Sequence, residues 1–178
     1  MLGITNVKNN LIINQEEPTP EPEPVITYSE GLTYSLLAND TYSVTGIGTC
    51  TDLDINIPPT YNGKDVTEIG DNAFGTLSLK NVTLPNSITI LNQGAFRYCY
   101  SLKQINLGNN VLEIAKRVLY SSGKNLIINI LTVTPPIIYA ITFVDADISK
   151  IIVPQGTLSA YQSATNWSNY ASKMEEAS

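Results

Sequence analysis

The sequence predicts a mostly β fold: a single right-handed solenoid with a short-strand parallel sheet, an N-terminal β-hairpin cap and a C-terminal short-helix cap. Two observations carry this expectation. First, a strand-like tetrapeptide returns at a fixed interval. VTLP at Val82 recurs as INLG at Ile105, INIL at Ile128 and IIVP at Ile151, each 23 residues after the last. An earlier copy, INIP at Ile55, lies 27 residues before Val82, so the first interval holds an insertion. Second, a small or β-branched residue followed by a large one recurs in step: Ala73-Phe74, Ala95-Phe96, Val118-Leu119 and Thr142-Phe143. An aliphatic residue precedes each pair, at Ile69, Leu91, Ile114 and Ile138, and before those come Val66, Ile88 and Val111, with Pro135 where the pattern loosens. Agreement of several positions at one period of this length marks stacked coils.

Each strand follows from alternation. In VTLP and INLG apolar residues alternate with Thr or Asn, so Val82 and Leu84, or Ile105 and Leu107, face one side. Pro85 and Gly108 end these strands. One such strand is too short to stand alone, but stacked one per coil the strands bury a common face. Five strands leave four gaps of about 4.8 Å, a sheet about 19 Å long. The large residues of the recurring pairs fill the core from the opposite wall, and both ends need caps.

In chain order, residues 1–14 form a candidate attachment arm in which Leu11, Ile12 and Ile13 are suited to add an edge strand to a partner. Residues 15–24, QEEPTPEPEP, alternate prolines with acids and are expected to be an extended, solvated spacer. The plainer reading of both stretches is a disordered tail. Residues 25–178 form the repeat domain. Within it, LTYSLL and TYSVTGI flank Ala38-Asn39-Asp40, a hairpin over the open end of the solenoid. Pro58–Lys64, PPTYNGK, is the insertion. At the other end Thr157 is placed to N-cap a short helix through Leu158, Ala160 and Tyr161, after which Trp167 and Tyr170 cover the last coil. Ala171–Ser178 is expected to fray.

The stretches VTEIGDNAF (Val66–Phe74), VTLPNSITILNQGAF (Val82–Phe96) and YCYSLKQINL (Tyr98–Leu107) resemble the BspA-like class of leucine-rich repeats. The resemblance spans about residues 31–170 and implies a leucine-rich-repeat solenoid. It departs at Glu113–Gly123, where Val-Leu replaces the usual small-Phe pair, and at Pro135–Asp147, where a distorted coil is expected. The closing segment IIVPQGTLSAYQSATNWSNY is similar to that of many BspA-like repeat proteins.

Composition narrows function. The 178 residues allow one domain with a sizeable core. Net charge is −6, with only ten basic residues, which disfavours nucleic acid and anionic membranes as partners. No stretch has the length and apolarity of a membrane-spanning helix. The first residues, MLGITNVKNNLIINQ, lack a basic start and a continuous apolar run and do not read as a secretory signal. The two cysteines show no disulfide framework: Cys99 is expected as a core thiol, and a bridge to Cys50 is not required.

The chain contains no histidine, which removes Ser-His and Cys-His nucleophile pairs and the commonest metal ligand. Gly46-Ile47-Gly48 lacks the third glycine of a phosphate-binding loop. Two acidic pairs, Asp52/Asp54 and Asp145/Asp147, would point their carboxylates the same way if each lay in a strand. That arrangement suits Ca²⁺ or glycoside hydrolysis, but solvated surface acids are the simpler reading. No catalytic residue, metal or cofactor is assigned.

The candidate binding face is the outward row of the sheet, Asn56, Thr83, Asn106 and Asn129, ending at Ile152, together with Tyr98, Tyr100 and Tyr120. Asn and Thr offer uncharged donors and acceptors to a glycan or a backbone; the alternative is that they bond to one another along the ladder. The tyrosines, with Tyr139, would form an aromatic patch of the kind enriched in interface cores, or fill the core. The expected function is a non-enzymatic binding module, held on a larger assembly by a protein partner of the arm and facing a protein or glycan ligand. A bacteriophage virion surface is the first expected location, as a head fibre, decoration or tail protein. The alternative is a secreted or cell-surface bacterial adhesin, as the resemblance implies. A homo-oligomer through the arm is compatible with both.

Overall fold

The computed structural model describes residues 26–178. In chain order its elements are β1 (Thr33–Leu36), β2 (Tyr42–Gly46), β3 (Asp54–Asn56), β4 (Thr60–Tyr61), β5 (Lys64–Ile69), β6 (Asn81–Thr83), β7 (Ile90–Leu91), β8 (Gln104–Leu107), β9 (Glu113–Ile114), β10 (Leu126–Ile130), β11 (Ile137–Ile138) and β12 (Ile148–Val153). Helix α1 (Leu158–Ser163), a 3-10 helix (Trp167–Lys173) and β13 (Met174–Glu176) complete the chain. The expected arm, with Leu11, Ile12 and Ile13, and the expected spacer lie outside the described residues.

Each central coil gives one strand to each of two parallel sheets. The first sheet runs β3-β6-β8-β10-β12-β13. Its register places Ile55, Val82, Ile105, Ile128, Ile151 and Met174 in one inward row. None of the six is more than 8% exposed. Ile57, Leu84, Leu107, Ile130 and Val153 form a second buried row. The 23-residue interval is thus one turn of the solenoid, as the alternation of apolar and polar residues requires.

The sheet holds six strands rather than five, because the expected frayed tail is ordered into β13. Met174 falls 23 residues after Ile151 and occupies the next inward position. The sheet therefore extends about 24 Å. Glu175 and Glu176 on this last strand place charge at the sheet edge, which discourages pairing with another chain.

The second sheet, β2-β5-β7-β9-β11, with β1 antiparallel on β2, was not legible in the sequence. Three of its strands are two residues long, too short for alternation to show. Its register aligns Val44, Ile69, Leu91, Ile114 and Ile138, all buried. Between the sheets, the recurring large residues stack along the axis. The rings of Phe74 and Phe96 are 5.3 Å apart and 2° from parallel. Leu119 interrupts the column, and Phe143 resumes it against Trp167 and Tyr170 at 5.7 and 5.5 Å. The Pro135–Asp147 coil keeps its anchor; its irregularity is a register shift where Leu126 and Ile127 pair with Ile148 and Lys150.

The turn after each anchor demands a left-handed residue. Thr76, Tyr98, Ser121 and Asp145 fill it with φ of 66°, 60°, 49° and 59°. Asn72, Gly94 and Arg117 fill the turn's entry with φ of 53°, 66° and 58°. Coil spacing also dictates Gly108: a Cβ there would lie 2.4 Å from the Pro85 carbonyl oxygen of the preceding coil.

At the first end, β1 and β2 form the expected hairpin. The insertion is itself a hairpin, β4 on β5, turned by Asn62 and Gly63 at φ 49° and 75°. It carries Tyr61 onto Tyr34, with rings stacked 3.9 Å apart, and against the edge of Tyr42. Residues 26–30 run beside β3, where the Ser29 amide donates to the Asn56 carbonyl at 2.9 Å. At the far end, side chains replace the hydrogen bonds that a further coil would make. The Trp167 indole donates to the Pro136 carbonyl at 2.7 Å, the Asn166 amide to Ile138 at 2.8 Å and the Tyr161 hydroxyl to Thr132 at 2.7 Å. Burial pushes the Tyr161 phenol up to about 12. Thr157 holds the N-cap position of α1, but its hydroxyl donates to the Pro154 carbonyl instead of capping. The Glu176 carboxylate serves the helix start, accepting from Gly156 and Leu158 amides at 2.9 and 3.1 Å.

Candidate binding surface

The outward row of the first sheet forms in register as expected, Asn56, Thr83, Asn106, Asn129 and Ile152. Its amides largely serve one another. The Asn129 side chain donates to the Asn106 oxygen at 2.6 Å, and Asn106 donates to the Thr83 hydroxyl at 3.1 Å. Asn56 donates to the Thr27 carbonyl at 2.7 Å. The row is therefore a coil-to-coil hydrogen-bond ladder, with acceptor capacity left on the solvent side. Two shallow clefts flank it. One is lined by Ile130, Leu131, Ile152 and Pro154, the other by Ile26, Tyr28, Pro85 and Asn86.

The tyrosines converge on the wall between the two sheets. Tyr98 lies 5.2 Å from Tyr120, edge to face, and 6.1 Å from Tyr100. Stacking of consecutive coils brings Tyr98 and Tyr120 together, the Tyr98 amide donating to the Tyr120 carbonyl at 2.8 Å. Tyr100 is 66% exposed, and Tyr98 and Tyr120 are half-buried. Tyr139 stands apart from this cluster. Its hydroxyl donates to Glu113 at 2.7 Å, which raises its pKa, and Lys116 lies over its ring at 5.5 Å.

Sequence reasoning missed Arg97 and Arg117, the chain's only two arginines. Both line a cleft of about 420 Å³ with Tyr98, Tyr120 and Asp145. The Arg97 guanidinium sits 5.7 Å from the Tyr98 ring centroid. Its aliphatic stem has room because Gly75 and Gly94 lie beneath: a Cβ on either would come within 3.3 or 3.1 Å of it. The signal was available in RY and RVLY, each arginine beside a tyrosine one coil apart.

The acidic pairs do not form paired strand carboxylates. Asp52 precedes β3, Asp145 lies in a left-handed turn and Asp147 precedes β12. Asp54 accepts from the Asn81 side chain at 2.7 Å, and Asp147 accepts from the Asn125 amide at 3.1 Å, so each secures a neighbouring coil. Among the described residues no group of three His, Cys, Asp or Glu is placed to hold a metal ion. No described helix is long and apolar enough to cross a membrane. Cys99 is fully buried as expected, its thiol donating to the Phe74 carbonyl at 3.0 Å, and burial pushes its pKa up to about 11. Ser122 takes the same place one coil on, donating to Phe96 at 2.6 Å. Both cysteines are free.

Two parallel sheets wound from short coils of one period define a β-solenoid repeat protein. Residues 50–171 match the model of the BspA type leucine rich repeat region, in six copies. The chain belongs to the BspA-type leucine-rich repeat family. Among solved structures it is similar to a leucine-rich repeat protein of T. pallidum, with 19% identity, a TM-score of 0.56, and coverage of 75% of this chain and 72% of that one. It is also similar to a leucine-rich repeat protein from Bacteroides capillosus, at 19% identity and TM-score 0.47, covering 69% of this chain and 94% of that one. A leucine rich cell surface protein from Faecalibacterium prausnitzii matches at 20% identity and TM-score 0.48, covering 76% of this chain and 38% of that one. The first of these supports the fold. A comparison with curated proteins found no match.

Proposed function

We propose that this protein is a non-enzymatic adhesion and binding module, held on a larger assembly through residues 1–24 and presenting its solenoid to a protein or glycan. The observation that carries this reading is the exposed aromatic cluster of Tyr98, Tyr100 and Tyr120, gathered from neighbouring coils onto one wall. Aromatic side chains supply large contact area at little entropic cost and concentrate at interface centres. Display from one end also suits the geometry. The described chain begins at Ile26 beside β3, at the end of the solenoid opposite α1 and β13. The arm-spacer-domain order of the sequence supports attachment to a bacteriophage virion, as a head fibre, decoration or tail protein. Family membership favours the second reading, a secreted or cell-surface bacterial adhesin.

Adhesion to immobilised host glycoproteins and extracellular proteins tests the module, comparing the full chain with a Tyr98→Ala, Tyr100→Ala, Tyr120→Ala triple variant. Saturable adhesion lost in the triple variant is expected; equal adhesion by both refutes the tyrosine face. Light scattering on the full chain and on a chain starting at Val25 tests the arm. A dimer or trimer that becomes a monomer on truncation identifies the arm as an assembly device. Immunogold labelling of virions and of cells separates the two locations.

A further inference from the structure

We propose that the cleft between Arg97 and Arg117 binds a carboxylated sugar unit of an acidic polysaccharide. This rests on the reading of the protein as a binding module and names the ligand class of its tyrosine wall. Three consecutive coils build the cleft. Arg97 and Tyr98 come from the first, Arg117 and Tyr120 from the second, and Asp145 from the third. The Arg117 amide donates to the Ile141 carbonyl at 3.0 Å, which holds the second and third coils in place.

Charge placement is the first argument. The chain carries a net charge of −6, yet both of its arginines stand at this one cleft. Among the described residues the ion pairs are Lys64–Asp40 and Lys150–Glu175, so neither arginine is paired and Asp145 neutralises neither. A guanidinium presents a planar fork that matches a carboxylate bidentately.

The second argument is what the positions cost. Arg117 and Tyr98 occupy turn sites at φ 58° and 60°, where other coils place Asn, Gly, Thr, Ser or Asp. Left-handed backbone disfavours a long side chain, so the fold alone does not ask for Arg or Tyr there. Gly75 and Gly94, in contrast, leave the space that the Arg97 stem occupies.

The third argument separates sugar from other anions. Tyr98 and Tyr120, 5.2 Å apart at 74°, offer a ring face and a ring edge to the C–H surface of a pyranose. Asp145 is an acceptor for sugar hydroxyls. The same carboxylate, on an acidic chain, repels ligands of dense charge such as nucleic acid or a phosphopeptide. One carboxylate per ring, surrounded by hydroxyls, fits the set.

Affinity electrophoresis and titration calorimetry with polygalacturonate, its methyl-esterified neutral form, dextran and poly-glutamate test the proposal on the full chain. Polygalacturonate is expected to bind, and methyl esterification, Arg97→Gln or Arg117→Gln is each expected to weaken it by about tenfold or more. The esterified polymer probes the carboxylate without altering the protein, so a misfolded variant cannot decide the result. Failure to bind polygalacturonate, equal binding of its ester, or equal binding of poly-glutamate overturns the proposal. If the arginine variants still adhere to host glycoproteins as the parent does, the cleft is refuted while the binding-module reading stands. Loss of all adhesion by the parent chain refutes that reading instead.

Discussion

Replacing Phe96 by alanine tests the coil register directly. Phe96 is fully buried, and its ring lies parallel to Phe74 of the preceding coil at 5.3 Å. Removing it withdraws the transfer free energy of a whole aromatic side chain, leaves a cavity the rigid coils cannot close, and deletes one partner of a stacked pair. Together these cost about 3–5 kcal/mol. For a domain of this size that lowers the melting temperature by about 10 °C. Leucine at the same site should cost far less, about 1 kcal/mol, because Leu119 already fills the equivalent place one coil on. Urea melts followed by circular dichroism measure both. A Phe96→Ala loss below about 1 kcal/mol would mean that the column of anchors does not fill the core and that the stacking is misassigned.

Arg117→Gly relieves the left-handed strain at φ 58° but adds chain entropy to the unfolded state, so stability should stay level or rise by up to about 1 kcal/mol while polygalacturonate binding is lost; a clear drop in the melting temperature would show that Arg117 serves the fold. Cys99 should resist thiol reagents until the protein unfolds, whereas the partly exposed Cys50 should react in the native state, giving one fast thiol per chain. Burial raises Cys99 from an ordinary 9.0 to about 11, so the native state keeps a proton the unfolded chain has lost. Stability should therefore fall as pH rises from about 9 to 11, with buried Tyr161 adding to the loss from 10 towards 12; a melting temperature flat across pH 8–11 would contradict this. Glu176→Ala removes the acceptor of the Gly156 and Leu158 amides and should cost about 1 kcal/mol, read from the thermal melt.

The first sheet was legible because its strands are three residues or longer and put two apolar side chains inward per coil, so the alternation and the interval reinforce one another. The second sheet was hidden by its brevity. Ile90–Leu91 or Glu113–Ile114 sends one side chain inward, and a single aliphatic residue per turn has no period of its own. The sixth strand was hidden differently. Met174 keeps the 23-residue step, but Glu176 stands where the earlier strands place a second apolar residue, because an edge strand needs only one anchor. The aromatic wall was legible from Tyr98, Tyr100 and Tyr120 since all follow anchors in the repeat. The arginines beside them were not, because in a chain this poor in basic residues they drew no notice as a pattern; only the stacking of coils makes neighbours of residues twenty apart.

The side-chain donors at the far end of the solenoid have a consequence for crowding. Trp167, Asn166 and Tyr161 saturate the carbonyls of Pro136, Ile138 and Thr132 that would otherwise template another chain. A repeat array sealed in this way has a fixed length and cannot fuse end to end with its neighbours. Many copies can then be anchored side by side at high local concentration and remain separate molecules. Weak individual contacts at each wall would add as avidity rather than be lost to aggregation.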